Sequence, residues 1–311
     1  MDEAPPHLQT HLSRVLQEMQ EAAQGRISRQ ELIRRIEAQD QNVKRRLIVY
    51  VANTENPNSA LSPADIVPLG DALASVGKVD NLDLLLHTTG GSGDVAEKFV
   101  EMCRRYCPHN FRVIVPNMAK SAGTLIALGA DSIVMGYCSE LGPIDPQIVI
   151  VVGNKPQLVS AWTFIRARDQ LQEKTQKALA AGENPAIYLQ QLAGIDPVFV
   201  THCEQLMTFA RQLVRKFVFS RISQTESAKE WADKVVDFLS KVEEHISHGR
   251  LILSRELRQN CVPPLNLQEL EENDPIWHLI WELYVRCEVF LKTDPPKAKM
   301  IETAEMSISL T

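Results

Sequence analysis

The sequence has no apolar run long enough to cross a bilayer, because a membrane-spanning helix needs about 18 or more such residues. The stretch IVIVVG at residues 148–153 is strongly apolar but far too short. The N-terminal sequence MDEAPPHLQTHL is acidic and polar, which is not the pattern of a secretory signal peptide. The sequence therefore predicts a soluble cytoplasmic protein without a membrane span. It leaves peripheral association with a membrane open.

Basic patches and metal-ligand spacing are also lacking. The formal net charge is −6 and the pI is about 5.8, whereas a nucleic-acid-binding domain is typically basic. Of the six cysteines, only Cys103 and Cys107 are close in sequence, and one Cys-x3-Cys pair is not a zinc site. The cysteines are interpreted as reduced thiols. We expect no nucleic-acid partner, no bound metal and no cofactor.

The first half of the chain contains apolar segments that alternate with amphipathic ones. Short buried runs of this kind are typical of parallel strands covered by helices on both faces. Four predicted strands are RRLIVYVA, LDLLLH, FRVIVP and DSIVMG. The predicted helices between them are LSPADIVPLGDALASVG, DVAEKFVEMCRRY and SAGTLIALGA. The order β-α-β-α-β-α-β predicts an α/β layered fold.

The rest of the chain has mainly helical periodicity. Four further helices are predicted, at residues 158–181, 197–222, 227–243 and 275–291. Residues 1–44 are interpreted as an N-terminal helical arm and residues 45–292 as the main domain. Residues 293–311 are left as a C-terminal tail, and the last fifteen are expected to be loose.

The first candidate site element is HTTGGSG at residues 87–93, at the end of the second predicted strand. Ligand sites in open α/β sheets lie at the carboxyl ends of strands. Gly90 and Gly91 can present backbone N–H groups to an oxyanion or to a phosphate. Asp94 follows closely and would repel a phosphate, which favours the oxyanion. A plain turn is the alternative interpretation of the two glycines.

The second element is VPNMAKSAGT, where Ser121 separates a predicted strand from a predicted helix. Gly123 follows two residues later, as in half of a nucleophile elbow. The helix dipole favours an alkoxide at this position, and the Ala122 N–H would point toward it. The alternative is that Ser121 only caps the helix. Because successive parallel strands are usually neighbours, Gly91 and Ala122 are predicted to converge on Ser121 as an acyl-transfer site.

Three motifs together carry a family resemblance. LLLHTTGGSGDVAEKF, VPNMAKSAGTLIALGADSIVM and SELGPIDPQ resemble the serine dehydrogenase proteinase family. That family is related to signal peptide peptidase A and, more distantly, to the proteolytic subunit of the Clp protease. In the second half, SHGRLILSREL is similar to the family's His-Gly segment. The resemblance implies a ClpP/crotonase-type fold of stacked ββα units and usually a homo-oligomer.

The resemblance also assigns roles to individual residues. Ser121 matches the nucleophile, Gly91 the first oxyanion donor and Ala122 the second. Gly90, which shapes the turn, and Gly123 are expected to belong to the same oxyanion and substrate-binding site. One departure is that His-Thr-Thr precedes the glycines, where the family more often has His-Thr-Pro. The missing proline is expected to loosen the turn without abolishing it.

The general base is left open between two lysines. Lys120 is adjacent to Ser121, and burial can lower the pKa of a lysine enough for base catalysis. Its structural alternative is an ion pair, with Asp145 or Asp131. Lys174 lies at about the distance from the serine at which related membrane-anchored enzymes place a base lysine. Its alternative is a solvated lysine on a helix surface.

Acidic and histidine candidates accompany the lysines. Asp145 lies in the proline-braced sequence LGPIDPQ and either orients a base or caps the next segment. His248 either acts as the base or caps the helix before it. No histidine follows Ser121 at the spacing of the Clp subunit, because the nearest downstream histidine is His202.

Peptide hydrolysis is the leading interpretation, with a peptide or protein as substrate. One rival is crotonase-type chemistry on an acyl thioester, which would use the same oxyanion hole. That chemistry needs a basic nucleotide-binding surface, which is not evident near the motifs, and it leaves Ser121 without a role. The second rival is an inactive scaffold that has kept the fold and binds a partner through its helical parts.

Overall fold

A computed structural model describes residues 25–40, 42–219, 226–240, 249–261, 265–293 and 295–311. The chain divides into two compact units. The first combines the described residues of Met1–Leu141 with those of Leu251–Thr311, and the second is Gly142–Arg250. Within the described residues, the structure contains no helix that is both long and apolar enough to span a membrane.

The strands and helices are numbered along the whole chain. The strands are β1 (Arg46–Ala52), β2 (Leu82–His87), β3 (Phe111–Val115), β4 (Met118–Ala119), β5 (Ser132–Gly136), β6 (Glu140–Leu141), β7 (Gln147–Val152), β8 (Lys155–Ser160), β9 (Ile252–Leu253), β10 (Leu267–Leu270), β11 (Lys299–Glu302) and β12 (Ser307–Leu310). The α-helices are α1 (Gly25–Glu37), α2 (Ile66–Val76), α3 (Gly93–Tyr106), α4 (Ala122–Gly129), α5 (Ala161–Ala180), α6 (Ala186–Ala193), α7 (Pro197–Phe219), α8 (Glu226–Ser240), α9 (Ser254–Cys261) and α10 (Pro275–Lys292). A 3-10 helix, Pro63–Asp65, precedes α2.

The first unit is built on a seven-stranded sheet of order β10-β5-β3-β2-β1-β11-β12. The pairs β1–β2, β2–β3, β3–β5 and β5–β10 are parallel. Strands β1 and β2 are buried along nearly their whole length, as expected for continuous apolar strands covered on both faces. The four predicted strands and the three helices between them are confirmed, and so is the α/β class.

A second, smaller sheet of order β4-β6-β9 lies beside the strand ends of the first unit. Strand β3 of the main sheet is followed by β4 of the small sheet and then by α4. This is one ββα unit of the kind that the family resemblance implies. It matters for function because the chain turns from β4 into α4 at Ser121.

The expectation of a loose C-terminal segment is wrong. Strand β11 pairs with β1 antiparallel, and β12 pairs with β11 in the same way. All four residues of β11 are buried, including Lys299 and Glu302. The two charged side chains of β11 each have a buried partner, Asp65 for Lys299 and Arg29 for Glu302.

Helix α1 falls in the predicted N-terminal arm. Its buried residues Leu32, Ile33 and Ile36 belong to the same apolar cluster as the buried face of α10. The division into an arm (1–44), a main domain (45–292) and a tail (293–311) stays a prediction. The part of the arm before residue 25 lies outside the described residues.

The second unit contains a β-hairpin and helices. Strands β7 and β8 pair antiparallel, and β7 contains the apolar stretch IVIVV. Helices α5, α7 and α8 occupy most of the predicted segments 158–181, 197–222 and 227–243. In the first unit, α10 confirms the fourth predicted helix. The helix predicted at 158–181 was started too early, because β8 extends to Ser160.

Candidate active site

Ser121 has an unusual backbone conformation. Its φ is 52° and its ψ is −116°, at the turn from β4 into α4. A non-glycine residue with positive φ is uncommon and costs on the order of 1–3 kcal/mol when held in such a region. Strained backbone of this kind clusters at functional sites, and a serine on a sharp strand-to-helix turn is the geometry of a nucleophile elbow.

Ser121 occupies the N-cap position of α4 but does not act as the cap. Its side chain makes no capping hydrogen bond and is partly exposed. Other groups close the turn: the Thr124 hydroxyl donates to Ala119 O at 2.8 Å, and Gly123 N–H donates to Lys120 O at 2.8 Å. The interpretation of Ser121 as only a helix cap therefore has no support in the geometry.

The glycine turn lies against the serine. Gly90 has φ 106°, and a Cβ built there would lie 2.7 Å from both Lys120 O and the Ser121 Cβ. Thr88 brings the two segments together, because its N–H donates to Met118 O and its carbonyl accepts from Lys120 N–H, each at 3.0 Å. The predicted convergence of the two strand ends is present in the structure.

The turn is also fixed from within. The Thr88 hydroxyl accepts a hydrogen bond from Gly90 N–H at 3.0 Å. This bond constrains the turn in the sequence His-Thr-Thr, where the family more often has a proline. Gly123 packs on the same threonine, because a Cβ at Gly123 would lie 2.6 Å from the Thr88 Cγ2. Close packing of α4 on Thr88 accounts for this glycine, and its role in substrate binding stays a prediction.

Gly91 is held by backbone pairing with Leu61. Leu61 N–H donates to Gly90 O at 2.8 Å, and Ser92 N–H donates to Leu61 O at 2.9 Å. In this parallel bridge, both hydrogen bonds to Leu61 are made by the neighbours of Gly91, which are Gly90 and Ser92. The Gly91 N–H therefore points away from Leu61. A Cβ at Gly91 would collide with the Leu61 backbone. No motif or periodic pattern pointed to Leu61.

Two N–H groups near Ser121 are left for a ligand. Within the described part of the chain, neither Gly91 N–H nor Ala122 N–H donates a hydrogen bond. Ala122 is the first residue of α4, where N–H groups have no partner inside the helix. Such donors suit an oxygen that gains negative charge.

Lys120 forms an ion pair, but with a partner that the sequence did not suggest. Its Nζ lies 2.8 Å from Glu140 Oε1, and both side chains are largely buried. The pairing of β4 with β6 places Glu140 next to this lysine. Of the two suggested partners, Asp131 is wrong, because it pairs with Arg104 at 3.0 Å. The suggestion of Asp145 stays a prediction. Glu140 belongs to the motif SELGPIDPQ, so an acidic residue in that motif was the available signal.

Asp145 and Lys174 belong to the second unit. Asp145 is buried and accepts a hydrogen bond from the Gln147 Nε2 at 2.9 Å. Lys174 is exposed on α5. Their catalytic roles stay predictions. His248 lies outside the described residues.

A buried histidine network supports the strand that leads to Ser121. His87 is the last residue of β2, and its Nδ1 accepts a hydrogen bond from Met118 N–H at 3.4 Å. The Tyr284 hydroxyl lies 3.5 Å from the other ring nitrogen, and Glu288 Oε1 lies 3.6 Å from it. Asn117 donates to the same hydroxyl at 2.8 Å. The α10 residues Tyr284 and Glu288 were not predicted, because they lie inside a predicted helix with no motif that marks them.

The histidine stays neutral in this environment. Burial lowers the pKa of His87 to about 3, with a further contribution from the charge of Lys292. Burial also raises the pKa of Tyr284 and that of Glu288 above their usual values. Because Nδ1 accepts, the ring proton lies on Nε2, facing Tyr284 and Glu288. The network is therefore a structural brace, and its histidine is not placed as a base for Ser121.

The thiols of Cys103 and Cys107 belong to the core. Burial raises the pKa of the Cys103 thiol far above its usual value, and the Cys107 Sγ donates to Asp80 O at 3.3 Å. These two thiols are buried, as expected for core residues. Among the described residues, no group of three or more His, Cys, Asp or Glu side chains is placed to hold a metal ion.

Comparison with known families agrees with the three motifs. Residues 68–175 match the family described as ClpP-like SDH-type serine proteinase. The matched segment includes both glycines of the turn, Ser121 and Lys174, and it covers less than half of the chain. The resemblance to this proteinase family is confirmed over that segment.

Two curated relatives are uncharacterized proteins of Methanocaldococcus jannaschii. One is 43% identical over 77 residues, which cover 25% of this chain and 27% of that protein. The other is 33% identical over 94 residues, which cover 30% of each. This chain therefore spans less than a third of the length of either relative.

Solved structures with some similarity include two proteases and a thioester enzyme. ClpP1 from Listeria monocytogenes is 12% identical with a TM-score of 0.37, over 74% of this chain and 94% of that one. A mutant of the 1510-N membrane-bound stomatin-specific protease is 18% identical with a TM-score of 0.29, over 42% and 63%. An enoyl-CoA hydratase/isomerase from Marinobacter aquaeolei is 10% identical with a TM-score of 0.36, over 73% and 67%. These similarities are weak and assign neither catalytic residues nor a substrate.

Proposed function

We propose that the protein is a serine peptidase that hydrolyses peptide bonds through an acyl-enzyme on Ser121. The observation that carries this proposal is the strained backbone of Ser121, held directly against the Gly90 turn. A serine that neither caps its helix nor closes its turn has its hydroxyl left for chemistry. The match of residues 68–175 to a serine proteinase family supports the same activity.

In the proposed reaction, the Ser121 oxygen attacks the carbonyl carbon of the substrate while a base removes the hydroxyl proton. The carbonyl oxygen becomes an oxyanion and receives hydrogen bonds from Gly91 N–H and Ala122 N–H. The intermediate collapses, the C–N bond breaks, and the amine leaves with the proton from the base. Water then attacks the acyl-enzyme by the same route and releases the acid.

A lysine is the proposed base, and two lysines remain candidates. Lys120 is adjacent to the nucleophile but paired with Glu140, and an ammonium can accept a proton only after it has lost one. Lys174 is exposed on α5 and lies within the segment that matches the proteinase family. The variants Lys120→Ala and Lys174→Ala distinguish between them.

The test is intact-mass analysis after incubation with a fluorophosphonate. Wild type should gain one adduct and Ser121→Ala none. Ser92→Ala is the matched control, because Ser92 flanks the same turn but its hydroxyl caps α3 by accepting from Val95 N–H. The control should label like wild type. A wild type without adduct would favour an inactive scaffold, and an adduct that persists in Ser121→Ala would remove Ser121 from the mechanism.

The proposal extends to the setting of the enzyme. We propose a peptide or protein substrate, a homo-oligomer and a cytoplasmic location, as the sequence motifs and composition suggested. Native mass spectrometry of the full chain tests the oligomer, and a purely monomeric spectrum at working concentration would contradict it. Turnover of a denatured protein mixture by wild type, but not by Ser121→Ala, tests the substrate class.

A further inference from the structure

A buried lysine reaches the segment that holds the glycine turn. Lys299 of β11 is 3% exposed, and its Nζ has three acceptors: Ala60 O at 2.9 Å, Ser62 Oγ at 3.2 Å and Asp65 Oδ2 at 2.9 Å. An ammonium has three donors, so all are used. Asp65 is fully buried, and the same Oδ2 also accepts from Ser62 N–H at 2.7 Å. The pair therefore ties down the residues on both sides of Leu61.

Leu61 transmits this constraint to the proposed oxyanion donor. Its N–H and carbonyl bond Gly90 O and Ser92 N–H, the two backbone groups that flank Gly91. The contact is close, because Gly91 has no Cβ that would collide with Leu61. A continuous set of hydrogen bonds thus runs from Lys299 in the main sheet to the peptide groups around Gly91.

We infer that the buried pair Lys299–Asp65 is a positioning device that sets the location of Gly91 N–H relative to Ser121. This inference rests on the proposed function, since it concerns the oxyanion site of the same reaction. A buried ion pair adds little stability over a well-packed apolar pair, but its bonds are directional and fix backbone position. Neither residue touches the substrate. Both act through residues 60–62.

The environment of the carboxylate is consistent with this role. Tyr50 of β1 lies beside Asp65, and burial raises the pKa of its phenol well above the usual value, with a further increase from the Asp65 charge. The phenol stays protonated and uncharged, and therefore does not compete with Asp65 for the lysine. The lysine is the cation that pairs with Asp65 in the described residues.

The test compares Lys299→Met with a matched control that breaks the other buried ion pair of β11. Arg29→Met, on α1, removes one partner of the ion pair Arg29–Glu302, whose Nε–Oε2 distance is 2.6 Å. In the described part of the chain, this pair makes no hydrogen bond to residues 60–62. The double variant Asp65→Asn/Lys299→Met removes both charges and covers the case in which the single variant fails to fold. Thermal unfolding of all variants records the general loss of stability.

Two readouts separate positioning from stability. Hydrogen–deuterium exchange resolved to single amides reports the Leu61 and Ser92 N–H groups. The concentration dependence of fluorophosphonate labelling separates the inactivation rate from probe binding. In the Lys299 variants, we expect faster exchange at both amides and an inactivation rate about tenfold to a hundredfold lower, since small misplacements of catalytic groups have effects of this size. Probe affinity should be unchanged, and Arg29→Met should match wild type in both readouts.

Each other outcome overturns the inference at an identifiable step. Unchanged exchange in the Lys299 variants would mean that the pair does not hold residues 60–62. Faster exchange with an unchanged inactivation rate would mean that the pair holds the segment but does not position the donor. A wild type that takes no adduct would instead defeat the proposed function, and with it the catalytic meaning of the pair, whereas the exchange result would still report the structural coupling.

Discussion

Lys120 Nζ and Glu140 Oε1 lie 2.8 Å apart, one residue before the strained serine. This contact brings together the strand that carries the nucleophile and a strand of the motif SELGPIDPQ. It also means that the lysine nearest to Ser121 is already bound to a carboxylate. Whether Lys120 is the base therefore has to be tested with variants that change the lysine and the glutamate one at a time.

Lys120→Ala, Lys174→Ala and Glu140→Gln are expected to make that distinction. Only the variant of the true base should lose fluorophosphonate labelling at fixed pH, with a loss of about 10²–10⁴-fold for a removed general base. If Lys120 is the base, Glu140→Gln should also change the labelling rate, because it removes the carboxylate that lies 2.8 Å from Lys120 Nζ. Wild-type rates in both lysine variants would reject a lysine base from either position.

Ser121→Ala and Ser121→Gly are expected to differ in stability. Both lack the hydroxyl and should be inactive, but glycine adopts positive φ without strain while alanine does not. We expect Ser121→Gly to be more stable than Ser121→Ala by about 1 kcal/mol, the lower range for relief of such strain. Urea unfolding measures the difference. A more stable alanine variant, as at an ordinary helix start, would contradict the strained elbow.

Gly90→Ala is expected to reduce both stability and labelling. A Cβ there would lie 2.7 Å from Lys120 O and Ser121 Cβ, so the turn and the elbow must separate. Gly77→Ala is the control, because Gly77 has φ 73° but open space around it, and the change adds only strain of about 1–3 kcal/mol. Gly90→Ala should cost at least about 1 kcal/mol more by overpacking. Equal losses in thermal unfolding would argue against the close approach.

His87→Asn is expected to flatten the acid side of the stability profile. The folded pKa of His87 is about 3, below the unfolded value near 6.5, so the unfolded chain binds a proton first as pH falls. As the pH falls between those two values, the unfolding free energy of wild type should decrease by about 1.4 kcal/mol per pH unit because of His87. Asparagine keeps an acceptor near the Nδ1 position but does not titrate.

The comparison is made by urea unfolding from pH 7 to pH 4. Glu288, whose pKa is raised by burial, is present in both proteins, so its own pH dependence largely cancels in the difference. Parallel profiles for wild type and His87→Asn would mean that the histidine is not held neutral in the folded state.

The sequence predicted the strand ends near Gly91 and Ser121 better than it predicted the residues that hold them in position. Strand β2, which ends at His87, and strand β3, which ends at Val115, are apolar runs, and their parallel pairing places their ends together. Leu61 and Lys299 were not predicted. Leu61 contacts the glycine turn through its backbone groups, and Lys299 is distant in sequence from its partner Asp65. Neither the short KMIE segment nor a single leucine carries a periodic signal, so the roles of Lys299 and Leu61 are visible only in the folded sheet.

The partner of Lys120 shows the same limit. Three acidic residues, at positions 131, 140 and 145, lie at comparable distances along the chain, and sequence spacing gave no reason to choose residue 140. The choice is made by the register of β4 against β6, which joins two strands of only two residues each. Strands this short leave no detectable pattern.

The position of β11 in the sheet has a consequence for synthesis. This strand lies directly beside β1, yet it is separated from it by most of the chain. While residues 299–302 are still inside the ribosome, β1 has an unpaired, strongly apolar edge, which is a site for unwanted pairing with other chains. Through Lys299, the same late strand also carries the ammonium that fixes residues 60–62. On the proposed mechanism, a nascent chain would therefore complete the backbone around Gly91 only after residues 299–302 have joined the sheet.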